Sequence, residues 1–110
     1  MDKTYELIFC IVNAGFSGTV MDAARSAGAT GGTLLRGRGS AAKEAEELFH
    51  IVIEPEKEIV MILAPVEIKD TIMSAIYMEA GLSSAGQGII FSLPVTRTAG
   101  LTQVHMEDKS

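Results

Sequence analysis

The chain has 110 residues, the size of one domain, and a domain of this length buries roughly 65% of the surface that its unfolded form exposes, enough for one core. Apolar residues make up 47% and charged residues 21%, with 11 Gly and 3 Pro, which excludes low-complexity and disordered classes. A formal charge of -5 argues against nucleic acid or an anionic membrane as the main partner, and one cysteine, Cys10, excludes an internal disulfide or a multi-cysteine zinc site.

The opening MDKTYELIFCIVNAG carries no basic leader, its apolar run is far short of a membrane span, and a lone thiol is at home in a reducing compartment. The expected location is the cytoplasm. Residues 7–12 (LIFCIV) read as a buried strand closed by Asn13, Ala14 and Gly15. Ser17 is placed to cap a helix over 18–27, in which Val20, Ala23, Ala24 and Ala27 fall at helical spacing and Gly28 is the stop signal. A weaker strand follows over 30–36, and residues 37–47, polar and led by glycine, read as a loop. Residues 48–53 and 58–64 flank the polar turn Glu54, Pro55, Glu56 and Lys57, a pattern that predicts a hairpin. Pro65 suits the first turn of a second helix, where Ile68, Ile72, Ala75, Ile76 and Glu79 form one stripe ending at Gly81. After a small-residue loop over 82–88, residues 89–95 (IIFSLPV) make the last strand, and a polar tail occupies about 98–110.

This order predicts an α+β ferredoxin-like βαββαβ sandwich, in which two helices cover one face of a four-stranded antiparallel sheet. The first, third and last strands are apolar at nearly every position, so the other sheet face is expected to be apolar too. Soluble monomers rarely expose such a patch, and burial against other copies in a closed ring is the symmetric solution.

Two glycine-led segments stand out, Gly37-Arg38-Gly39-Ser40 and Ser83-Ser84-Ala85-Gly86-Gln87-Gly88. Glycine lets the backbone approach a ligand and successive N–H groups can cradle an anion, with Arg36, Arg38 and Arg97 as forked charges; the plainer reading of each segment is a turn. Neither fits a P-loop or a dinucleotide fingerprint. Cys10 lies inside an apolar strand and reads as a core thiol, while His50 and His105 are too far apart to form a metal-ligand spacing. Glu44, Glu46, Glu47, Glu54, Glu56 and Glu58 read as solvated charge, most of it on loop or turn positions, and the methionines as core filling. No acid, base and nucleophile can be placed together, so no enzyme is expected.

Over residues 7–97 the chain resembles the PII signalling superfamily, the nitrogen regulatory protein P-II group, as a divergent member. The points of likeness are Thr30-Gly31 with Thr33, Gly37-Arg38-Gly39 opening a loop, Pro55, and Gly86-Gln87-Gly88-Ile89-Ile90-Phe91 leading into the last strand. The resemblance implies a homotrimer that binds adenine nucleotides in clefts between subunits and signals through a mobile loop, here about 37–49, to a membrane transporter or metabolic enzyme. By position, Thr33 would lie near the adenine, Gly37, Arg38 and Gly39 at the base of the mobile loop, Gly86, Gln87 and Gly88 on the phosphate side, and Arg97 after the last strand. Ile89 stands where members have a phosphate-binding lysine, Gly100 and Thr102 where they have arginines, Ser40 and Ala41 where they have Arg-Gln, and Glu56 where they have lysine. These differences imply a ligand with less phosphate charge than ATP, namely AMP or ADP, with a small anion such as bicarbonate under the loop rather than 2-oxoglutarate; no cofactor and no metal are implied. Two other readings share the architecture: a CutA-like trimeric metal-tolerance protein, and a structural adaptor with a fixed docking loop.

Overall fold

The computed structural model describes residues 4–39, 56–82 and 88–101. Side chains alternate across a strand, and in β1 (Tyr5–Asn13) Ile8, Cys10 and Val12 are buried while Leu7, Phe9 and Ile11 between them are only partly so. Helix α1 (Ser17–Ser26) follows, then β2 (Thr33–Arg38), β3 (Glu56–Pro65), helix α2 (Val66–Glu79) and β4 (Gly88–Val95). The strands form one antiparallel sheet in the order β2-β3-β1-β4. Each helix thus connects two parallel strands that have an antiparallel strand between them, which is the ferredoxin-like α+β arrangement expected from the sequence.

Both helices lie on the face that carries Ile8, Cys10 and Val12, with Val60, Ile62 and Ala64 of β3 beside them in register. Val20, Ala23 and Ala24 of α1 and Ile72 and Ile76 of α2 complete this core. The small alanines on α1 let the helix lie close to the sheet. Both helices end in the same way. At α1, the Gly28 N–H donates to Arg25 O (3.0 Å) and the Ala29 N–H to Ala24 O (2.9 Å), with Gly28 at φ +114. At α2, Gly81 takes φ +70 and the Leu82 N–H donates to Tyr77 O (3.1 Å), which folds Leu82 back into the core. Left-handed glycine after the last turn with these back-bonds is the Schellman stop, and the glycines at 28 and 81 signal it in the sequence.

One expected pairing is corrected. The tight hairpin between residues 48–53 and 58–64 would need an edge of β3 over Glu58–Met61, yet Arg36, Leu35, Leu34 and Thr33 pair along one edge there and β1 along the other. Glu56 and Lys57, read as turn residues, belong to β3. The local pattern of strand, proline turn and strand misled because closing a longer connection costs little extra chain entropy, so a strand further back can win the edge. Residues 48–53, with His50, lie outside the described residues, as does the tail from 102 with His105.

The opposite sheet face is apolar, and no helix among the described residues lies on it. Leu7, Phe9 and Ile11 of β1, Ile59, Met61 and Leu63 of β3, Leu35 of β2 and Ile89, Phe91 and Leu93 of β4 share it by register. Phe9 and Phe91 sit opposite each other with parallel rings 5.3 Å apart. Leu35, Ile89 and Leu93 are 46%, 58% and 47% exposed, so the second apolar face expected from the strand composition is there.

Candidate functional site

β1 and β3 lie between β2 and β4, so the end of the sheet where β1 finishes and β3 begins is flanked by the finish of β2 and the start of β4. This geometry puts Gly37 and Gly88 at the same sheet end. Gly37 pairs with Lys57, Lys57 with Asn13, and Val12 with Gly88. Across three strand spacings Gly37 and Gly88 are about 14 Å apart. Gly86 and Gln87, which lead into Gly88, lie outside the described residues.

Gly37 and Arg38 are strand residues rather than the opening of a loop, since the ladder to β3 continues through Gly37↔Lys57 and Arg38↔Glu56. The strand therefore spans Thr33–Arg38 instead of 30–36. Glycine at 32 explains the late start: a Cβ there would stand 3.0 Å from Met21 Sδ, 3.0 Å from Met61 O and 3.1 Å from Ile62 Cγ1, so the chain passes tightly between α1 and β3 before pairing begins. Gly39 lies over the Lys57 side chain, where a Cβ would meet Cε at 3.1 Å. Gly88 is tighter still, with a Cβ 2.4 Å from Ile11 O and 3.0 Å from Val12 Cγ1. Packing alone thus requires glycine at 88.

Two of the expected site residues are not at this end. Thr33 is exposed on the uncovered face in the row Thr33, Met61, Phe9, Phe91, roughly 13 Å along β2 from Gly37. Arg97 follows the far end of β4, nine residues and roughly 30 Å from Gly88. Within one chain Arg97 does not meet Gly37, Gly39 or Gly88.

Three residues that the sequence reading passed over shape the same end. Lys57 Nζ donates to Asn13 Oδ1 at 2.7 Å, a partly buried bond on the uncovered face. Glu58, on the other face, is 6% exposed rather than solvated. Its Oε1 accepts the Ser17 N–H at 3.0 Å, so this strand carboxylate occupies the N-terminus of α1, and the Ser17 side chain, expected to cap the helix, bonds Glu58 instead. The Ser17 hydroxyl and N–H, the Gly15 N–H and the Arg36 charge across the strand pair hold the Glu58 carboxyl below its ordinary value, against the opposing effect of burial. The sequence carries a faint signal for all three. Asn13 and Lys57 are polar positions on otherwise apolar stripes, and Glu58 falls on the buried parity of β3.

The crystal structure of Arabidopsis thaliana PII bound to citrate superposes with a TM-score of 0.67 at 21% identity, covering 91% of this chain and 82% of that one. The fold is that of a PII protein. No protein-family model matches the chain, and no curated protein matches it. A PII-like fold accounts for the split βαβ order.

Cys10 is fully buried, and desolvation pushes its thiol up to about 11, so it stays protonated at neutral pH and acts as a small core hydrophobe. At the far sheet end, Glu6 Oε1 accepts the Ser92 hydroxyl at 3.0 Å and pairs with Lys69 Nζ at 3.4 Å, and Lys69 also bonds Asp70 at 2.8 Å. The bond to Asp70, with help from Glu6, raises the Lys69 ammonium above its ordinary range. This network fastens α2 to β1 and β4 and leaves the glycine end untouched. No helix among the described residues is long and apolar enough to cross a membrane.

Proposed function

We propose that the protein is a PII-type signalling protein that assembles as a homotrimer, senses a small anionic metabolite, an adenine nucleotide such as AMP or ADP, and regulates a transporter or metabolic enzyme through the segment after β2. It is a sensor, not an enzyme, and it works in the cytoplasm. The observation that carries this reading is the uncovered apolar sheet face, which ends in a polar corner of Lys57 and Asn13 between the two glycine segments. An apolar face of this kind favours burial against identical copies. Burial between copies supplies what one chain lacks, because Arg97 of a neighbouring copy would reach the glycine end that its own chain cannot reach.

In this assembly Gly37, Arg38 and Gly39 line the base of the responsive segment, Gly86, Gln87 and Gly88 face the phosphate, and Thr33 lies toward the base. Ligand binding acts on the segment after β2, about residues 37–49, and changes what it presents to the partner. The citrate in the Arabidopsis structure supports an anionic effector class. The test joins mass and binding. Light scattering should report three copies, and calorimetric titration should give heat with AMP or ADP and less with ATP. A well-behaved monomer at low concentration, or no heat with AMP, ADP, ATP or cyclic di-AMP, ends the reading.

A further inference from the structure

We infer that Lys57 supplies the positive charge that contacts the anionic group of the effector, phosphate or carboxylate, an inference that rests on the sensor reading above. At the start of β4, Ile89 is an exposed aliphatic side chain, so a site for an anion at this sheet end needs its charge from elsewhere. Among the described residues Lys57 is the cation on the right face. It shares the uncovered face with Ile59, Met61 and Leu63, whereas Arg36 and Arg38 fall by register on the face of Glu58. It lies one strand from Gly37 and two strands from Gly88, between the two glycine segments.

The ammonium is also held in place. Asn13 Oδ1 takes one of its three donors at 2.7 Å, and Gly39 leaves space over the stem that any other residue would fill. Among the described residues no carboxylate lies within ion-pair distance of Lys57, while Lys69 at the other sheet end has two. Fixed by the neutral amide of Asn13, this half-buried ammonium has no counter-charge among the described residues, and its two other donors meet none of their acceptors. Such a preorganised cation loses little freedom on binding, and a charge-assisted bond from it carries more energy than a neutral one. Asn13 is the positioning residue, and Lys57 is the contact.

The test compares the full-length protein with Lys57→Met, which keeps the stem and removes the charge, and with Lys57→Arg, which restores charge. The probes are AMP, ADP, inorganic phosphate and citrate. We expect Lys57→Met to weaken AMP or ADP binding by about ten- to a hundredfold, with Lys57→Arg recovering most of the loss. The remaining affinity of Lys57→Met should depend less on salt, while mass and melting temperature stay as in the parent. Equal nucleotide affinity in all three proteins overturns the role of Lys57 and leaves the sensor reading standing. If no nucleotide binds the parent, the sensor reading fails, and NMR of the lysine side chains in the parent decides the inference separately. Phosphate or citrate shifting the Lys57 signals ahead of the other lysines upholds it, and unmoved Lys57 signals overturn it. The same NMR measurement decides the matter if Lys57→Met does not fold.

Discussion

Ile62 and Leu63 are neighbours on β3 with opposite surroundings. Ile62 points into the core under α1 and α2 and is 1% exposed, while Leu63 points to the face without helices and is only partly buried. Residue type does not separate the two faces, since both are built from aliphatic and aromatic side chains. What separates them is what covers them: two helices close one face, and no helix among the described residues lies on the other. The same sheet therefore carries the stability of the subunit on one side and, in the proposed reading, the assembly and its effector site on the other.

The sharpest way to break this comparison is to truncate both neighbours. Ile62→Ala should cost about 2–5 kcal/mol, a fall in melting temperature on the order of 10–20 °C, by the same amount at every protein concentration. Leu63→Ala should cost less, and its cost should grow on dilution, because it weakens contact between copies rather than within one. Thermal melts over a hundredfold range of concentration read both. Equal, concentration-independent falls would mean that nothing covers the second face.

A pair of glycines sharpens the same contrast on a smaller scale. At Gly88, on the helix-covered face, a Cβ would stand 2.4 Å from the Ile11 carbonyl oxygen, which is backbone and cannot swing aside. Gly88→Ala should cost about 1–3 kcal/mol. At Gly37, on the uncovered face, the nearest atom to a Cβ is Ile59 Cδ1 at 3.7 Å, an ordinary contact. Gly37→Ala should change stability by no more than about 0.5 kcal/mol. Denaturant unfolding measures both, and a Gly37→Ala penalty as large as that at Gly88 would show that another copy already packs against the β2 end.

Much of this contrast was legible in the sequence, and the parts that were not share a physical cause. Periodicity gave α2 through Ile68, Ile72 and Ile76, and the glycines at 28 and 81 marked both helix ends, because those signals are local. The apolar stretches 7–12 and 59–63 announced a sheet greasy on both sides, since a strand with one wet face would have alternated. Pairing was misread where local and distant partners competed for one edge of β3. Lys57 and Glu58 were missed for the same reason. As a string, EPEK is a polar turn and Glu58 a solvated charge at the start of a strand, and only the register of β3 against β1 and β2 sends Lys57 to Asn13 and Glu58 to the N-terminus of α1. The glycine segments were visible as composition, but the place of Gly37 and Gly88 at one sheet end, and the separation of Arg97 from both, belong to topology.

Glu58 gives the smallest and most specific prediction, because it is the one charged side chain buried among the described residues on the covered face. Its carboxyl is held below the ordinary value of 4.5, chiefly by the Ser17 hydroxyl and then by the Ser17 and Gly15 N–H groups and the Arg36 charge. A carboxyl whose folded value is depressed adds stability that is fully present above its unfolded value and is lost as pH falls through the folded one. Glu58→Gln keeps an acceptor for the helix N-terminus and removes only the charge. The variant should therefore melt below the parent at pH 7, and the gap should close as the pH falls below 4.5, since the protonated parent then also presents a neutral group to α1. Melts at matched protein concentration from pH 3 to pH 7 follow that gap. A gap that stays constant across the range would mean that Glu58 acts through its shape in the core, and that the negative charge at the start of α1 contributes nothing to holding the covered face together.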